Sequence, residues 1–431
     1  MFKVYKTEYD PGEESEGTID PLGLYTIADG LAVKMIPGLR ERQKHPRYLT
    51  IIAAGLSLCE DFDEERLASD EVSPPWQVYE WLAVRSMEKR QDSSQNKFAL
   101  PGVLKAKAAR SDGMPLTAKR YLSVPSVFGF HGVYRLLSKN LGVELNGNLG
   151  NTGAELLDAW MNEQNLMGFF GTSNGPGKAI RKQLYSAVSK GLEAGGVASD
   201  HEVFFTHLHP LGAGTQEAKV LYSALLNDEN QFRKQVFDFL ISNEGQKIWN
   251  TVYPRSEKQL HDKLKSVVSS DLKEILSAID LYEQFARHLF DAFYACIDHL
   301  SKTKRKITVS ELATLDKVIS AATEVPNLYL EVSNSLNAVT ESQRFEEIFE
   351  GFDERLKPPE WLSLLLQHHI KIQRNKPPNP KNPWFEQTDD GQFIIRRQYM
   401  QRAEDVLPEG YVHAYRTNSM WQFAKDLGQV K

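Results

Sequence analysis

The alternation of apolar and polar positions predicts helices along most of the chain. Leu24, Ile27, Leu31, Val33 and Met35 recur at roughly helical spacing and predict a helix over 22–35. Pro37-Gly38 breaks it, and the apolar run that follows predicts a second helix over 46–59, with Pro46 in its first turn. Ser73-Pro74-Pro75 opens a third, with Trp76, Tyr79 and Leu82 on one face. Three shorter helices are expected near 128–141, 151–164 and 176–192. Gly142 stands where a C-terminal cap glycine belongs, and Asn146-Gly147-Asn148 reads as a turn. Three short helices with brief turns fit a helix-turn-helix or winged-helix domain, and equally a generic small bundle.

The strongest periodic signal comes later. Ile275, Ile279, Tyr282, Ala286, Leu289, Phe293, Cys296 and Leu300 step by fours and threes, which is a heptad seam on one long helix. Residues 301–306 break it, helical character resumes over 309–322, and Pro326 is expected to interrupt before 328–336. An antiparallel hairpin or bundle follows, because another helix comes after a short connection. The last part changes style. A helix over 361–369 leads into the basic, proline-rich KIQRNKPPNPKNP of 371–383. Apolar stretches at 384–386 and 392–397 then flank Asp389-Asp390-Gly391, a hairpin turn, before a final helix near 419–427. The expectation is a mainly α, multi-domain protein. Its segments are a helical part with a basic loop (1–122), a winged-helix-like part (123–198), a helical bundle (199–360) and a small α+β part (361–431). Residues 11–16 and 91–96 read as polar loops.

Composition narrows the function classes. The chain has 431 residues, 41% hydrophobic and 25% charged, with a net charge of -6. A uniformly basic nucleic-acid binder does not fit that balance, whereas local basic patches do. Two cysteines, Cys59 and Cys296, are too few for a disulfide framework or a cysteine zinc site. No stretch reaches the roughly 18–20 apolar residues that span a bilayer. The start, MFKVYKTEYD, lacks a signal-peptide core, so the cytoplasm is the expected location.

The candidate chemistry is cationic. Arg40, Arg42, Lys44 and Arg47 are opposed only by Glu41, in a loop fixed to an apolar helix. That pattern suits an anion or a nucleic-acid backbone. Gly171–Lys178 (GTSNGPGK) imitates a P-loop. Five residues separate its glycines instead of four, and Ala179 replaces the metal-binding hydroxyl. A weaker role survives, in which the helix N-terminus with Lys178, Arg181 and Lys182 holds a backbone phosphate. A third group mixes Lys376, Lys381, Arg396, Arg397 and Arg402 with Trp384, Phe385, Phe393 and Tyr399, a mixture able to grip phosphates while stacking bases. A further basic stretch carries Lys97, Lys105, Lys107, Arg110, Lys119 and Arg120 against Asp112 alone. Catalytic patterns remain incomplete. Asp200, Glu217 and Lys219 weakly mimic a metal-dependent nuclease, but Glu217 falls in the first turn of an expected helix. His369-x-Lys371 lacks the later Asp of a phospholipase-D-like motif. His201, His207 and His209 are irregularly spaced for zinc. No metal or cofactor is expected.

The opening block resembles a family of uncharacterised bacterial proteins often encoded in phage-defence gene clusters. The residues that carry the resemblance are Leu22-Gly23, the 27–35 helix, Pro37-Gly38 and Arg47-Tyr48. His369, Lys376, Trp384 and Tyr415-Arg416 before the last helix are similar too. The resemblance implies a setting, anti-phage defence beside a helicase, nuclease or ATPase subunit, and brings no catalytic residues with it. The leading expectation is a nucleic-acid-binding or adaptor subunit without its own catalytic site, with partner proteins from a defence operon. A divergent metal-dependent nuclease and a protein-binding scaffold are the alternatives.

Overall fold

A computed structural model describes residues 20–89, 98–227, 231–251, 257–376, 380–400 and 410–430. Helix accounts for 62% of the described residues, which makes the protein mainly α. In order, the first helices are α1 (Tyr25–Met35), α2 (Tyr48–Cys59), α3 (Pro75–Glu88), α4 (Val103–Ser111), α5 (Pro125–Phe128) and α6 (Phe130–Asn140). The hairpin β1 (Glu144–Leu145) and β2 (Asn148–Leu149) follows. Then come α7 (Asn151–Gln164), α8 (Pro176–Ala194), α9 (Val203–Thr206), α10 (Thr215–Leu226), α11 (Phe232–Ile241), α12 (Asn243–Thr251) and α13 (Glu257–Leu264). The rest are α14 (Ser270–Thr303), α15 (Val309–Leu312), α16 (Asp316–Ala338), α17 (Ser342–Ile348), α18 (Pro358–Arg374), the hairpin β3 (Phe385–Gln387) and β4 (Phe393–Ile395), and α19 (Thr417–Asp426). Among the described residues no helix is long and apolar enough to cross a membrane.

The chain folds as two discontinuous units where chain order suggests four consecutive segments. One unit is Met1–Met35 with Ile248–Tyr415; the other is Ile36–Lys247 with Arg416–Lys431. Local periodicity carries no information about such distant pairings.

In the first unit α14 is the spine. Ser269 caps its start by accepting from the Leu272 amide. All eight seam residues are buried. The seam packs on α16, and the Phe285–Tyr329 ring contact and the Asp291–Lys317 ion pair at 3.0 Å make the two helices antiparallel. α16 runs straight through Pro326, contrary to the expected interruption. The missing amide bond costs stability, but Val325, Pro326 and Tyr329 are all buried, and that packing offsets it. The start of α1 is fastened from two directions. The Asp20 carboxylate accepts from the amides of Leu22, Leu24 and Tyr25. His368 Nε2 and His369 Nδ1, both on α18, contact the carbonyls of Leu22 and Pro21 at 2.8 Å. His369 Nε2 also accepts from the Trp384 amide, so this imidazole is neutral, and burial pushes it down to about 3. The β3–β4 hairpin pairs Phe385 with Ile395 and Gln387 with Phe393, with Gly391 at φ 76° in its turn.

In the second unit α2 is the centre, buried on every face from Tyr48 to Leu58. α7 lies against α2 and α10, α3 against α4 and α8, and α6 against α2. The helices expected near 128–141, 151–164 and 176–192 are present, with Gly142 at φ 70° after α6. The β1–β2 turn has positive φ at both Asn146 and Gly147, as a two-residue hairpin loop requires. α7 and α8 find their main partners in α2, α10 and α3, outside the 123–198 segment, so this packing lends no support to a self-contained winged-helix-like part there.

Candidate nucleic-acid interface

The basic loop belongs to the second unit and lies along α5 and α6. Gly38 has φ 78°, and a Cβ there would stand 2.7 Å from the Asn140 side chain. Gln43 Nε2 donates to the Val133 carbonyl at 2.8 Å, and its Oε1 accepts from the Arg40 amide. The His45 amide donates to Tyr134 Oη at 3.0 Å. From the other side Arg416 donates to the Leu39 carbonyl, and Ser419 Oγ donates to the Glu41 carbonyl at 2.8 Å. The loop is therefore braced at both edges before any ligand arrives.

Bracing sorts the four predicted cations. Arg40 is exposed. The Arg42 guanidinium sits 5.4 Å over the Phe128 ring. Lys44 pairs with Glu41 at 3.0 Å. Arg47 is withdrawn, with its side chain only 1% exposed. Its Nε donates to both Glu217 oxygens, at 2.9 and 3.1 Å, while Nη1 and Nη2 donate to the carbonyls of His209 and His207. Thr50 Oγ1 adds a 2.6 Å bond to Glu217. Arg47 cannot hold a phosphate. It opens a helix that is apolar all round, so its charge enters the interior and must be paired there.

α6 supplies cations that sequence reasoning missed. Its apolar stripe of Phe130, Val133, Tyr134 and Leu137 is buried, and His131, Arg135 and Lys139 follow at four-residue steps along another face. That spacing was the available signal. Arg135 Nε and Lys139 Nζ lie 3.6 and 3.9 Å from Glu144, yet their side chains stay 49% and 45% exposed. Burial opposes ionisation of Glu144, but the His131 hydrogen bond and the nearby positive charges outweigh it and hold the carboxyl below its usual range.

Behind α6 sits Glu80, buried on α3. It accepts from Tyr121 Oη at 2.8 Å and from the His131 amide at 3.1 Å. A cavity of about 20 Å³ adjoins it, lined by Ile52, Trp76, Tyr79 and Phe130 among others. Gly129 is required here, since a Cβ would fall 1.9 Å from the Glu80 carboxylate. Burial pushes Glu80 up to about 7, against the lowering effect of the Tyr121 and His131 bonds. The folded protein thus holds a proton that the unfolded chain releases above its ordinary 4.5. Stability from this group is greatest below pH 4.5 and declines as pH rises through about 7. Glu80→Gln is expected to flatten that decline, read as urea midpoints at about pH 5 and pH 8; an unchanged pH slope would refute the assignment.

The other predicted cations divide in the same way. Lys178 and Lys182 are exposed on α8, but the Gly177 amide at its N-terminus already donates to the Met167 carbonyl at 2.9 Å. Arg181 is structural, donating to Asp61, to the Ser57 hydroxyl and to the carbonyls of Ser57 and Phe169. In the first unit Arg396 pairs with Glu386 at 2.8 Å, Arg397 is exposed, and Lys376 and Lys381 are half-buried. The aromatics beside them are not a stacking platform. Trp384, Phe385 and Phe393 are buried, and Tyr399 stacks on Trp384 with centroids 4.7 Å apart. Lys97 and Arg402 lie outside the described residues. Lys105, Lys107, Lys119 and Arg120 are exposed, whereas Arg110 is bound to Glu88 and Asp200.

Among the described residues the carboxylates of the nuclease pattern are engaged by cations. Asp200 pairs with Arg110 at 2.6 Å and Lys89 at 3.2 Å, and Glu217 is taken by Arg47. Among the described residues no group of three or more His, Cys, Asp or Glu is placed to hold a metal ion. His207 and His209 serve through their carbonyls. Comparison with protein-family models, with curated proteins and with solved structures gives no match to this chain.

Proposed function

We propose that this protein is a nucleic-acid-binding or adaptor subunit that works without a catalytic site of its own, in the cytoplasm, within a bacterial anti-phage defence complex. The observation that carries the binding role is a set of cations on a braced scaffold: exposed Arg40 and half-buried Arg42 on the loop, and exposed Arg135 and Lys139 on α6. The acids beside these cations are partnered: Glu41 by Lys44, and Glu144 by His131 and, at longer range, by Arg135 and Lys139 themselves. Accessible cations on a fixed scaffold gain most from a polyanion, which exchanges its counterions for them.

The setting rests on the resemblance of the chain's two ends to the defence-cluster family. Those ends meet within each unit. In the first, Pro21 and Leu22 are held by His369 and His368. In the second, Leu39 and Glu41 are held by Arg416 and Ser419. A shared pattern at both ends therefore has a common structural cause, which supports reading it as one inheritance.

The test is fluorescence anisotropy with labelled DNA and RNA at low salt, using the protein alone and with its operon partners. The combined reversal Arg40→Glu, Arg42→Glu, Arg135→Glu and Lys139→Glu is expected to weaken binding at least about tenfold, the order set by removing the cations that neutralise several phosphates. Undiminished binding by a folded reversal variant would refute this surface, and no binding by the natural protein under any of these conditions would refute the role.

A further inference from the structure

The same surface carries information about which form of nucleic acid it suits. Resting on the reading above, we infer that its ligand is double-stranded and is gripped through phosphates, with no base stacked on the protein.

The first observation is where the ring faces lie. A single strand gains much of its affinity from bases stacked on open aromatic rings. At this surface the Arg42 guanidinium already lies over one face of the half-buried Phe128 ring. Phe130 and Tyr134 are interior, packed on Tyr48 with centroids 5.7 and 5.0 Å away. The exposed apolar side chains nearby on α5 and α6 are Val127 and Leu136, with Val124 just before them, and all are aliphatic. They offer no π-face.

The second observation is rigidity. Arg40 and Arg42 sit on a loop fixed to α6 by Gln43 and His45, and Arg135 and Lys139 stand one helical turn apart. Charges held in place before binding suit the regular, stiff phosphate array of a duplex. A flexible strand would have to be ordered along it, with no stacking to offset the ordering.

The experiment measures anisotropy of the full chain with a duplex and with each of its single strands, across roughly 50–200 mM salt. Duplex binding is expected to be tighter by about tenfold, the scale of one missing stacked base. The slope of log K against log salt is expected near roughly −3.6 if all four cations neutralise a phosphate, falling by about 1.8 in a folded Arg135→Gln/Lys139→Gln variant. Equal or tighter binding of single strands would overturn the inference while leaving the nucleic-acid role standing. Binding of neither form would overturn the role itself and the inference with it. A duplex slope unchanged in the double variant would also overturn it, by placing the phosphates elsewhere.

Discussion

Arg47→Ala is expected to cost about 3–5 kcal/mol of folding stability, the usual penalty for removing one partner of a buried ion pair. The substitution leaves the Glu217 carboxyl 0% exposed and without its guanidinium partner, with the Thr50 hydroxyl as its remaining side-chain partner among those named. It also strips the carbonyls of His207 and His209 of their guanidinium donors. Urea unfolding measures the loss directly. The paired change Arg47→Met/Glu217→Leu should recover much of it, since well-packed apolar side chains often replace a buried pair at little cost. If Arg47 were instead a ligand contact, Arg47→Ala would unfold like the natural protein and bind nucleic acid more weakly. The two outcomes are opposite, so one variant decides between an interior clamp and a surface grip.

The position of Arg47 also shows where sequence reading stops. Periodicity and turn residues report local structure, and so the α14 seam, the bounds of α7 and the β3–β4 hairpin are legible, whereas β1–β2 is legible only as a turn. Periodicity does not say what covers an apolar face. α2 reads as apolar from end to end, which does imply burial, yet the basic loop before it looks like one continuous patch. Only the fold separates exposed Arg40 from interior Arg47. The same blindness applies at long range. The Leu22 carbonyl and His368 are 346 residues apart, and no local pattern announces their bond. Pro326 marks the converse case, because intrinsic helix preference yields to packing along a long antiparallel pair. At the candidate interface, α6 is legible as an amphipathic helix. Its value lies in the polar stripe of His131, Arg135 and Lys139, which a search for apolar spacing passes over.

Glu283 carries the second large expected effect. It lies on α14 with its side chain 1% exposed, and it gathers a turn of the first unit. Tyr415 Oη donates to it at 2.6 Å, His413 Nδ1 bonds it at 2.7 Å, and the amides of Val412 and His413 donate to the other oxygen. Glu283→Ala leaves the buried Tyr415 hydroxyl, and the half-buried His413 ring and Val412 and His413 amides, without this acceptor. Each unsatisfied group costs about 1–3 kcal/mol, and relief from burying the carboxylate returns part of the sum, so a net loss of about 2–4 kcal/mol is expected. Glu283→Gln keeps one accepting oxygen and should lose roughly half as much. Urea unfolding gives the totals, and amide exchange at Val412 gives the local effect. Faster exchange there, in conditions where the α14 core amides stay protected, would place the damage in the 410–415 turn. Unchanged exchange at Val412 together with unchanged stability would mean that the turn is held by its packing alone. In that case Tyr411 and Tyr415, which pack their rings against His261, would be its anchors, and the carboxylate merely their neighbour.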